Sequence, residues 1–354
     1  MDKEIEFLNA ASAEQRLANL KVLLSGEKEQ PAVLPQYANN HIHTTFSFSP
    51  YSPTAAVWAA RRAGLATAGI MDHDSIGGAA EFRAAAAMAG VGSTCGVEMR
   101  ISWKDTPFAS RRINNPDQKG VAYMAFHSIR ARYFTQTADF LKPYREKRNV
   151  RNIKMLANIR EKTGVSLDFE NDVLPLSEYR NGGSITERHL LFALAKKVLP
   201  DGTEEEQYRL LGQYKAGLIH EVYIEPTDEL MQLAEAVDFA RSVDAILCYP
   251  YLGDVTASPT GDRKPAAFED EYLEELMAYL PHVGIQAVTY MPSRNTPAQL
   301  DVLMALCDRY HLRQISGEDI NSPSQSFICP QLADPKFSHL IKAAWSLVER
   351  EKEG

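Results

Sequence analysis

Two histidines separated by one residue, His41 and His43, come at the end of the first predicted strand, 38–44. In a β-strand the side chains alternate between two faces, so both imidazoles would point to the same side. Neutral imidazole is a common ligand of divalent metal ions. The pair therefore indicates a metal site, although an HxH pair by itself is equally compatible with a structural role.

A run of acidic and imidazole side chains, Asp72-His73-Asp74, follows the next apolar segment. These groups add a third imidazole and two carboxylates that could bind a metal or transfer a proton. The same run could instead cap the following helix, because Asp74 or Ser75 can accept hydrogen bonds from backbone N–H groups.

Two further carboxylates extend the pattern. Glu98 stands among apolar and small residues, where a buried carboxylate needs a cation or strong hydrogen-bond donors. Asp319 lies in the polar run 316–321, which ends the last predicted strand. Metal-binding groups at four strand ends favour a metal site over a set of solvent-exposed loops.

Short apolar segments and longer amphipathic segments alternate along the chain, and these groups lie at the ends of the short ones. The predicted strands cover 38–44, 67–71, 93–102, 121–126, 245–248, 284–289 and 312–316. The predicted helices cover 54–63, 78–89, 228–242, 269–280 and 296–310. This alternation predicts repeated β–α units and a mainly parallel sheet. In α/β barrels, the loops after the strands build the active site.

Two segments lie outside the predicted barrel, which covers 36–127 and 218–354. Residues 1–35 have apolar positions at helical spacing and predict an N-terminal helical arm packed on the body. Residues 128–217 are charged and mostly helical, which predicts an inserted helical subdomain that could cover the mouth of the barrel.

The composition bounds the choice of partner. The 354 residues are 45% apolar and 24% charged, with a net charge of −8, which argues against long nucleic acid as a partner. A small anionic substrate stays possible because a metal ion or a local arginine cluster can reverse the electrostatic field in a pocket.

The four cysteines, Cys95, Cys248, Cys307 and Cys329, show no metal-binding or disulfide spacing. No segment has the apolar length of a signal peptide or a membrane span, which predicts a cytoplasmic protein without membrane contact.

Four segments together resemble, in order and spacing, the motifs of the PHP (polymerase and histidinol phosphatase) superfamily. These are 41–45, 70–75 with Gly78 and Glu81, 96–98, and 317–321, where the family usually has Gly-Ser-Asp-x-His. The resemblance implies a distorted (β/α)₇ TIM-like barrel that holds up to three divalent metals and hydrolyses phosphate esters.

The resemblance also implies one complete metal site, formed by His41, His43, Glu98 and Asp319. Zn²⁺, Mn²⁺ and Fe²⁺ suit such imidazole and carboxylate ligands. Four other positions depart from the family pattern, and they weaken the second and third sites. They are Phe48 in place of an Asp, Ala122 and Tyr249 each in place of a His, and Asn321 in place of the last motif's His.

Other residues are candidates for catalysis and substrate binding. Asp72, His73 and Asp319 are predicted to move protons. The predicted substrate contacts are Arg188, His189, Tyr249, Arg294 and Asn321. Residues 185–189 resemble a segment of the family that faces the substrate, with Glu187 where an Arg is expected. For Arg188 and Arg294 a surface salt bridge is the alternative, and His127 is predicted to be exposed or locally hydrogen-bonded.

Three hypotheses about function remain open at this point. The favoured one is a metal-dependent phosphoesterase that acts on a small phosphorylated metabolite or nucleotide. The second is a one-metal hydrolase similar to amidohydrolases, which would cleave a carbon–nitrogen or ester bond. The third is a non-catalytic module whose pocket binds a ligand. The sequence is compatible with an oligomer but does not indicate one.

Overall fold

A barrel-shaped sheet lies at the centre of the computed structural model, which describes residues 2–29, 31–115, 118–254 and 269–352. Its main strands lie in the order β1-β2-β3-β4-β6-β7-β8, and the short β5 pairs with β3. The strands are β1 (Leu34–Ile42), β2 (Leu65–His73), β3 (Gly92–Ser102), β4 (Val121–His127), β5 (Met231–Gln232), β6 (Ile246–Pro250), β7 (Ala287–Tyr290) and β8 (Arg313–Ser316).

The barrel is nearly closed between its first and last strands. Ile42 forms a parallel bridge with Ile320, and the Asn40 side chain donates a 2.7 Å hydrogen bond to the carbonyl of Ser316. Mixed α/β composition and a seven-stranded barrel confirm the predicted fold class.

One strand departs from the predicted parallel arrangement. β4 runs antiparallel to both β3 and β6, whereas the other pairs between main strands are parallel. The described residues between β3 and β4 form turns rather than a crossover helix, and such a direct connection reverses the chain. As a result, the beginning of β4 lies beside the end of β3.

Helices cover the outside of the barrel close to where the sequence predicts them. They are α3 (Pro53–Arg62), α4 (Ala79–Ala89), α9 (Leu233–Ser242), α10 (Leu273–His282) and α11 (Pro297–Arg309). Their apolar faces and the outward faces of the strands form the main hydrophobic core, which includes Trp58, Phe82 and Val97. This burial removes the apolar faces of sheet and helices from water and stabilises the fold.

The last helix, α12 (Ser338–Lys352), covers the end of the barrel where β3 begins. Its Leu347 joins a cluster of barrel-interior side chains that includes Met71, Ala125 and Cys248. Its Glu351 accepts hydrogen bonds from the backbone N–H of Cys95, at 2.8 Å, and from the hydroxyl of Thr94. Side chains therefore fill the barrel interior between the end covered by α12 and the opposite end.

The N-terminal segment forms two helices, α1 (Lys3–Leu8) and α2 (Ala13–Gly26). The two helices are separate because Ser12 caps the start of α2, where its side chain accepts a hydrogen bond from the N–H of Gln15. Leu8 and Leu20 are buried in the main core, and Arg16 forms an ion pair of 2.6 Å with Glu81 of α4. Both helices therefore pack on the barrel's outer layer.

A helical region follows β4. Its helices are α5 (Phe134–Thr163), α6 (Glu187–Val198), α7 (Glu204–Ala216) and α8 (Ile219–Val222). A second hydrophobic core, which includes Met155, Ile159, Leu190 and Val222, holds these helices together. The first half of α5 instead contributes Leu141 to the main core, so α5 joins the two cores. Among the described helices, none combines the length and the apolar character needed to cross a membrane.

Candidate metal centre and cavity

Three imidazoles and two carboxylates meet at the mouth of the barrel. His41 and His43 lie at the end of β1, and His73 is the last residue of β2. Glu98 of β3 stands opposite His73 in the parallel ladder, and Asp319 lies three residues after β8. Strands from distant parts of the chain thus bring the predicted ligands together.

Glu98 lies at the middle of this cluster. Its Oε2 atom is 3.1 Å from Nδ1 of His73, 3.6 Å from Nε2 of His41 and 3.7 Å from Nε2 of His43. Nε2 of His43 also lies 3.1 Å from Oδ1 of Asp319. The potential ligand atoms of His41, His43 and Asp319 lie within 4.8 Å of one another, and so do those of His43, His73 and Glu98.

The cluster fits a divalent cation. The Nε2 atoms of His41 and His43 are buried and have no hydrogen-bond partner among the described residues. Buried polar atoms are seldom left unpaired, so two such atoms facing carboxylates mark a place for a positively charged group. The first group could hold one ion, and the second group, which shares His43, offers ligands for another.

A glycine allows the last strand to approach the first. A Cβ atom on Gly317 would lie 2.6 Å from Cβ of His41 and 2.8 Å from its backbone nitrogen, which is closer than real contacts allow. Any larger residue would therefore push the end of β8 away from β1. Glycine at this position lets Asp319 reach the two histidines.

The charges of the cluster reinforce one another. Burial by itself would lower the pKa of His41, but Glu98, Asp319 and Asp72 outweigh it and the pKa is raised. Burial would raise the pKa of Asp319, but the contact with His43 and the charges of His41 and Arg188 hold it well below its usual value. Asp319 is therefore ionised, which is the state that binds a metal.

His73 differs from the other two imidazoles. Burial, the charge of His43 and the charge of Arg148 lower the pKa of His73 well below its usual value. Its side chain is 29% exposed, against 8% for His41 and 2% for His43. His73 is thus a neutral imidazole that can be reached from the cavity.

Asp72 supports the cluster from behind. Its carboxylate accepts hydrogen bonds from the Thr44 backbone N–H at 2.7 Å and from the Thr44 and Ser47 hydroxyls at 2.6 Å each. The Ser47 hydroxyl in turn lies 3.1 Å from Nδ1 of His43. Asp72 is buried and does not line the cavity, so it orients His43 through Ser47. This position differs from the predicted role in proton transfer.

A cavity of about 510 Å³ opens onto the cluster. The barrel contributes His43, His73, Glu98 and Asp319 to its lining, among others. The helical region forms the facing wall with Arg148, Glu187, Arg188, Leu191 and Lys215. The candidate metal centre therefore lies at the bottom of a cavity enclosed by both hydrophobic cores.

Two of the five predicted substrate residues line this cavity, Arg188 and Asn321. The Asn321 amide donates a 2.7 Å hydrogen bond to Oδ1 of Asp319. His189 is buried behind the wall, where its Nδ1 accepts a hydrogen bond from the Thr186 N–H at the start of α6. Burial lowers the pKa of His189 to about 3, so it is a neutral helix cap.

Tyr249 and Arg294 lie outside the cavity lining, contrary to their predicted role. Cys248 faces the barrel interior, so the alternation of the strand turns Tyr249 outward, where its hydroxyl donates to Glu269. The Arg294 side chain is buried and its Nε donates a 2.9 Å hydrogen bond to the Leu252 carbonyl.

The positions that depart from the family pattern have distinct environments. Phe48 lines the cavity and packs edge-on against His189 and Phe192. Ala122 belongs to the main core outside the barrel.

The prediction that His127 is exposed or locally hydrogen-bonded is wrong, because the side chain is buried and neither ring nitrogen has a partner among the described residues. Burial lowers the pKa of His127 to about 3.

Among the cavity residues that sequence reasoning missed are Arg100, Tyr123 and Arg148. Arg100 could have been found, since it follows Glu98 by two residues and so shares its face of β3. Tyr123 lies opposite Arg100 in the antiparallel ladder, and its ring centre is 6.0 Å from that of His73. Within the described part of the chain its hydroxyl makes no hydrogen bond, so it is a donor available to a ligand. Tyr123 was missed because β4 runs antiparallel to β3, and the sequence pattern predicted a parallel strand.

Comparisons with known proteins support the fold. No family model matches the chain, and no curated protein matches it in sequence. A crystal structure from Bifidobacterium adolescentis, provisionally assigned as a metal-dependent phosphoesterase, is similar with a TM-score of 0.61 and 18% identity over 88% of this chain and 98% of that chain. An amidohydrolase from Chromobacterium violaceum, solved with bound sulfate and no metal, has a TM-score of 0.61 and 19% identity over 87% of this chain and 96% of that chain. At such identities the similarity shows that the chain shares this fold.

Proposed function

We propose that this chain is a metal-dependent hydrolase of the PHP type that acts on a small phosphorylated substrate. One observation carries the proposal: three imidazoles and two carboxylates cluster around buried nitrogens that have no hydrogen-bond partner, and His43, His73, Glu98 and Asp319 of this cluster line a cavity. The phosphoesterase assignment of a protein with the same fold supports the reaction class.

His41, His43, Glu98 and Asp319 would hold the principal ion, and His73 stands beside them as a ligand for a second. A divalent ion in this position would act as a Lewis acid towards the substrate and would acidify a water molecule. The surrounding residues fix the ligands, because Ser47 orients His43 and the Asn321 amide holds Asp319.

Arg188 is the residue that we assign to the phosphoryl group. It is half-buried, it lines the same cavity as Asp319, and its charge helps to lower the pKa of Asp319. No carboxylate in the described part of the chain lies within salt-bridge distance of it. A guanidinium can donate two parallel hydrogen bonds to phosphate oxygens.

Two other side chains face the same space and can handle protons. His73 is neutral and the most exposed of the three imidazoles, so it can accept a proton when it does not bind a metal. Burial raises the pKa of Tyr123, so its hydroxyl stays protonated and can donate a hydrogen bond to an oxygen of the substrate.

The first experiment is elemental analysis of protein purified without chelators, followed by assays on generic phosphate esters with added Mn²⁺, Zn²⁺ or Fe²⁺. We expect bound metal and turnover in the wild type, and the loss of both in His41→Ala. The matched control is His282→Ala, the same substitution at an exposed histidine, which should retain both. A wild-type protein that binds no metal after soaking with Mn²⁺ and Zn²⁺ contradicts the proposal.

The similarity to the amidohydrolase from Chromobacterium violaceum favours a second candidate, cleavage of an amide or lactone at the same centre. A panel of phosphate esters, amides and lactones separates the two. Under our proposal Arg188→Gln weakens the turnover of phosphate esters. Turnover of amides or lactones alone, unaffected by Arg188→Gln, would establish the second candidate instead.

A further inference from the structure

A network of buried ion pairs forms one wall of the cavity. Arg100 of β3 and Arg151 of α5 both bind Glu187 at the start of α6, at 3.0 Å and 2.6 Å. The same two arginines also bind Glu229, at 3.2 Å and 2.8 Å. Arg100 further donates a 2.9 Å hydrogen bond to the Tyr223 hydroxyl. Glu187 is thus shared between one arginine of the barrel and one of the helical region.

A third arginine completes the network. Arg148 of α5 lies 2.7 Å from Asp74 and 3.5 Å from Glu229. The network therefore joins three guanidinium groups to three carboxylates, and its formal charge is zero. Of these six residues, Arg100, Arg148 and Glu187 line the cavity. The network is therefore electrically neutral as a whole, although two of its arginines line the cavity.

Arg188, the next residue on α6, has a different environment. It lies outside the network and lines the same cavity as the candidate metal centre, and no carboxylate of the described ranges lies within salt-bridge distance of it. Lys215 of α7 and His220 of α8 also line the cavity. The cavity lining thus contains one half-buried arginine with no carboxylate partner among the described residues, Arg188, and two arginines already bound to carboxylates.

We propose that Glu187 determines the charge of the substrate: it neutralises Arg100 and Arg151, so that the cavity takes substrates with one anionic group, bound by Arg188, and disfavours those with two. This inference rests on the proposed function of the same site. A second phosphoryl group that reached this wall would compete with Glu187 for both guanidinium groups. It would also meet the repulsion of the carboxylate, and such repulsion selects against a wrong ligand.

The test compares two ligands that differ by one anionic group, propylphosphonate and propylene-1,3-diphosphonate. Neither contains a phosphate ester bond, so titration calorimetry on the metal-loaded protein measures binding without turnover. We expect the wild type to bind the diphosphonate no more tightly than the monophosphonate. In Glu187→Gln, the ratio of the two affinities should shift at least tenfold towards the diphosphonate.

Three further variants make the test specific. Glu225→Gln removes one carboxylate from the same cavity but leaves the network intact, so the ratio should not change. The double variant Arg151→Gln/Glu187→Gln restores the charge balance and should return to the wild-type ratio. Arg151→Gln alone leaves a surplus carboxylate and should shift the ratio towards the monophosphonate, which tests the inference even if Glu187→Gln does not fold.

An unchanged ratio in Glu187→Gln and Arg151→Gln, or an equal gain in Glu225→Gln, overturns the inference. Its failure is separate from that of the proposed function, because the binding measurement needs no catalysis. A protein that shows the expected shifts but hydrolyses no phosphate ester would overturn the proposed reaction and leave the charge selection in place.

Discussion

His43 is the residue on which both groups of candidate ligands depend. One ring nitrogen faces Glu98 and Asp319, and the other is held by Ser47, whose hydroxyl is itself bound by Asp72. This chain of contacts fixes the ring before any ligand arrives, and such fixing commonly raises metal affinity. Asp72 therefore contributes to the centre although it does not reach the cavity.

Tyr123 provides a test at the scale of a single residue. Tyr123→Phe removes only the hydroxyl, which under the proposed function stabilises charge that develops on the substrate. Since such a hydrogen bond is worth roughly 1–2 kcal/mol, kcat for a phosphate ester should fall about tenfold or somewhat more, with little change in KM. Metal content should stay at the wild-type level. Equal kcat in both proteins would show that the hydroxyl has no part in the reaction.

At the scale of elements, the reversal of β4 and the position of α12 decide what the barrel contains. β4 brings Tyr123 to the mouth and places His127 in the interior at the other end. α12 covers that other end with Leu347 and Glu351. The mouth is thereby left as the place where polar side chains of several strands meet a cavity.

Glu351 gives α12 a measurable pH dependence. Burial raises the pKa of Glu351 to about 7, from an ordinary value of 4.5 in the unfolded chain. Because the folded state holds the proton more tightly, this stabilisation is fully present below pH 4.5 and is lost as the pH rises through 7. Between these limits the free energy of unfolding of the wild type should fall relative to Glu351→Gln by about 1–3 kcal/mol.

Urea unfolding of both proteins at pH 4.5, 6 and 8 would measure this difference. The comparison with Glu351→Gln removes the contribution of the other titrating groups, which the two proteins share. Parallel curves across the range would mean that Glu351 titrates normally in the folded state.

At the scale of the whole molecule, the cavity exists because two hydrophobic cores face each other. The barrel carries the imidazoles and carboxylates, and the helical region carries Arg188 and two arginines of the ion-pair network. Arg100 and Glu187 bridge the two parts through a buried contact of 3.0 Å. The chemistry of the centre and the charge of the wall thus come from different parts of the chain.

Metal removal tests the molecule as a whole. An ion that binds only the folded state stabilises it, by about 2.7 kcal/mol when its free concentration is a hundred times its Kd. For a chain of this size a chelator should then lower the Tm of the metal-loaded wild type by roughly 4 °C. His43→Ala lacks a ligand of both groups, so its Tm should not respond to the chelator. A similar fall in both proteins would place the stabilising metal elsewhere.

The sequence by itself was sufficient for the approximate positions of the main strands and the outer helices, and it placed the candidate ligands at the ends of strands. These features depend on local information, since the alternation of side chains along a strand states which residues share a face. Local patterns of this kind therefore predict that His41, His43 and Glu98 meet, and the fold brings them together with Asp319.

Only the tertiary structure decided the direction of β4, the outward orientation of Tyr249 and the neutral ion-pair network around Glu187. Strand direction depends on how a connection packs, and the ion pairs join residues as far apart in sequence as Arg100 and Glu229. Such contacts form when the chain folds and buries its apolar surface. A local sequence pattern does not predict which distant charged residues then become neighbours.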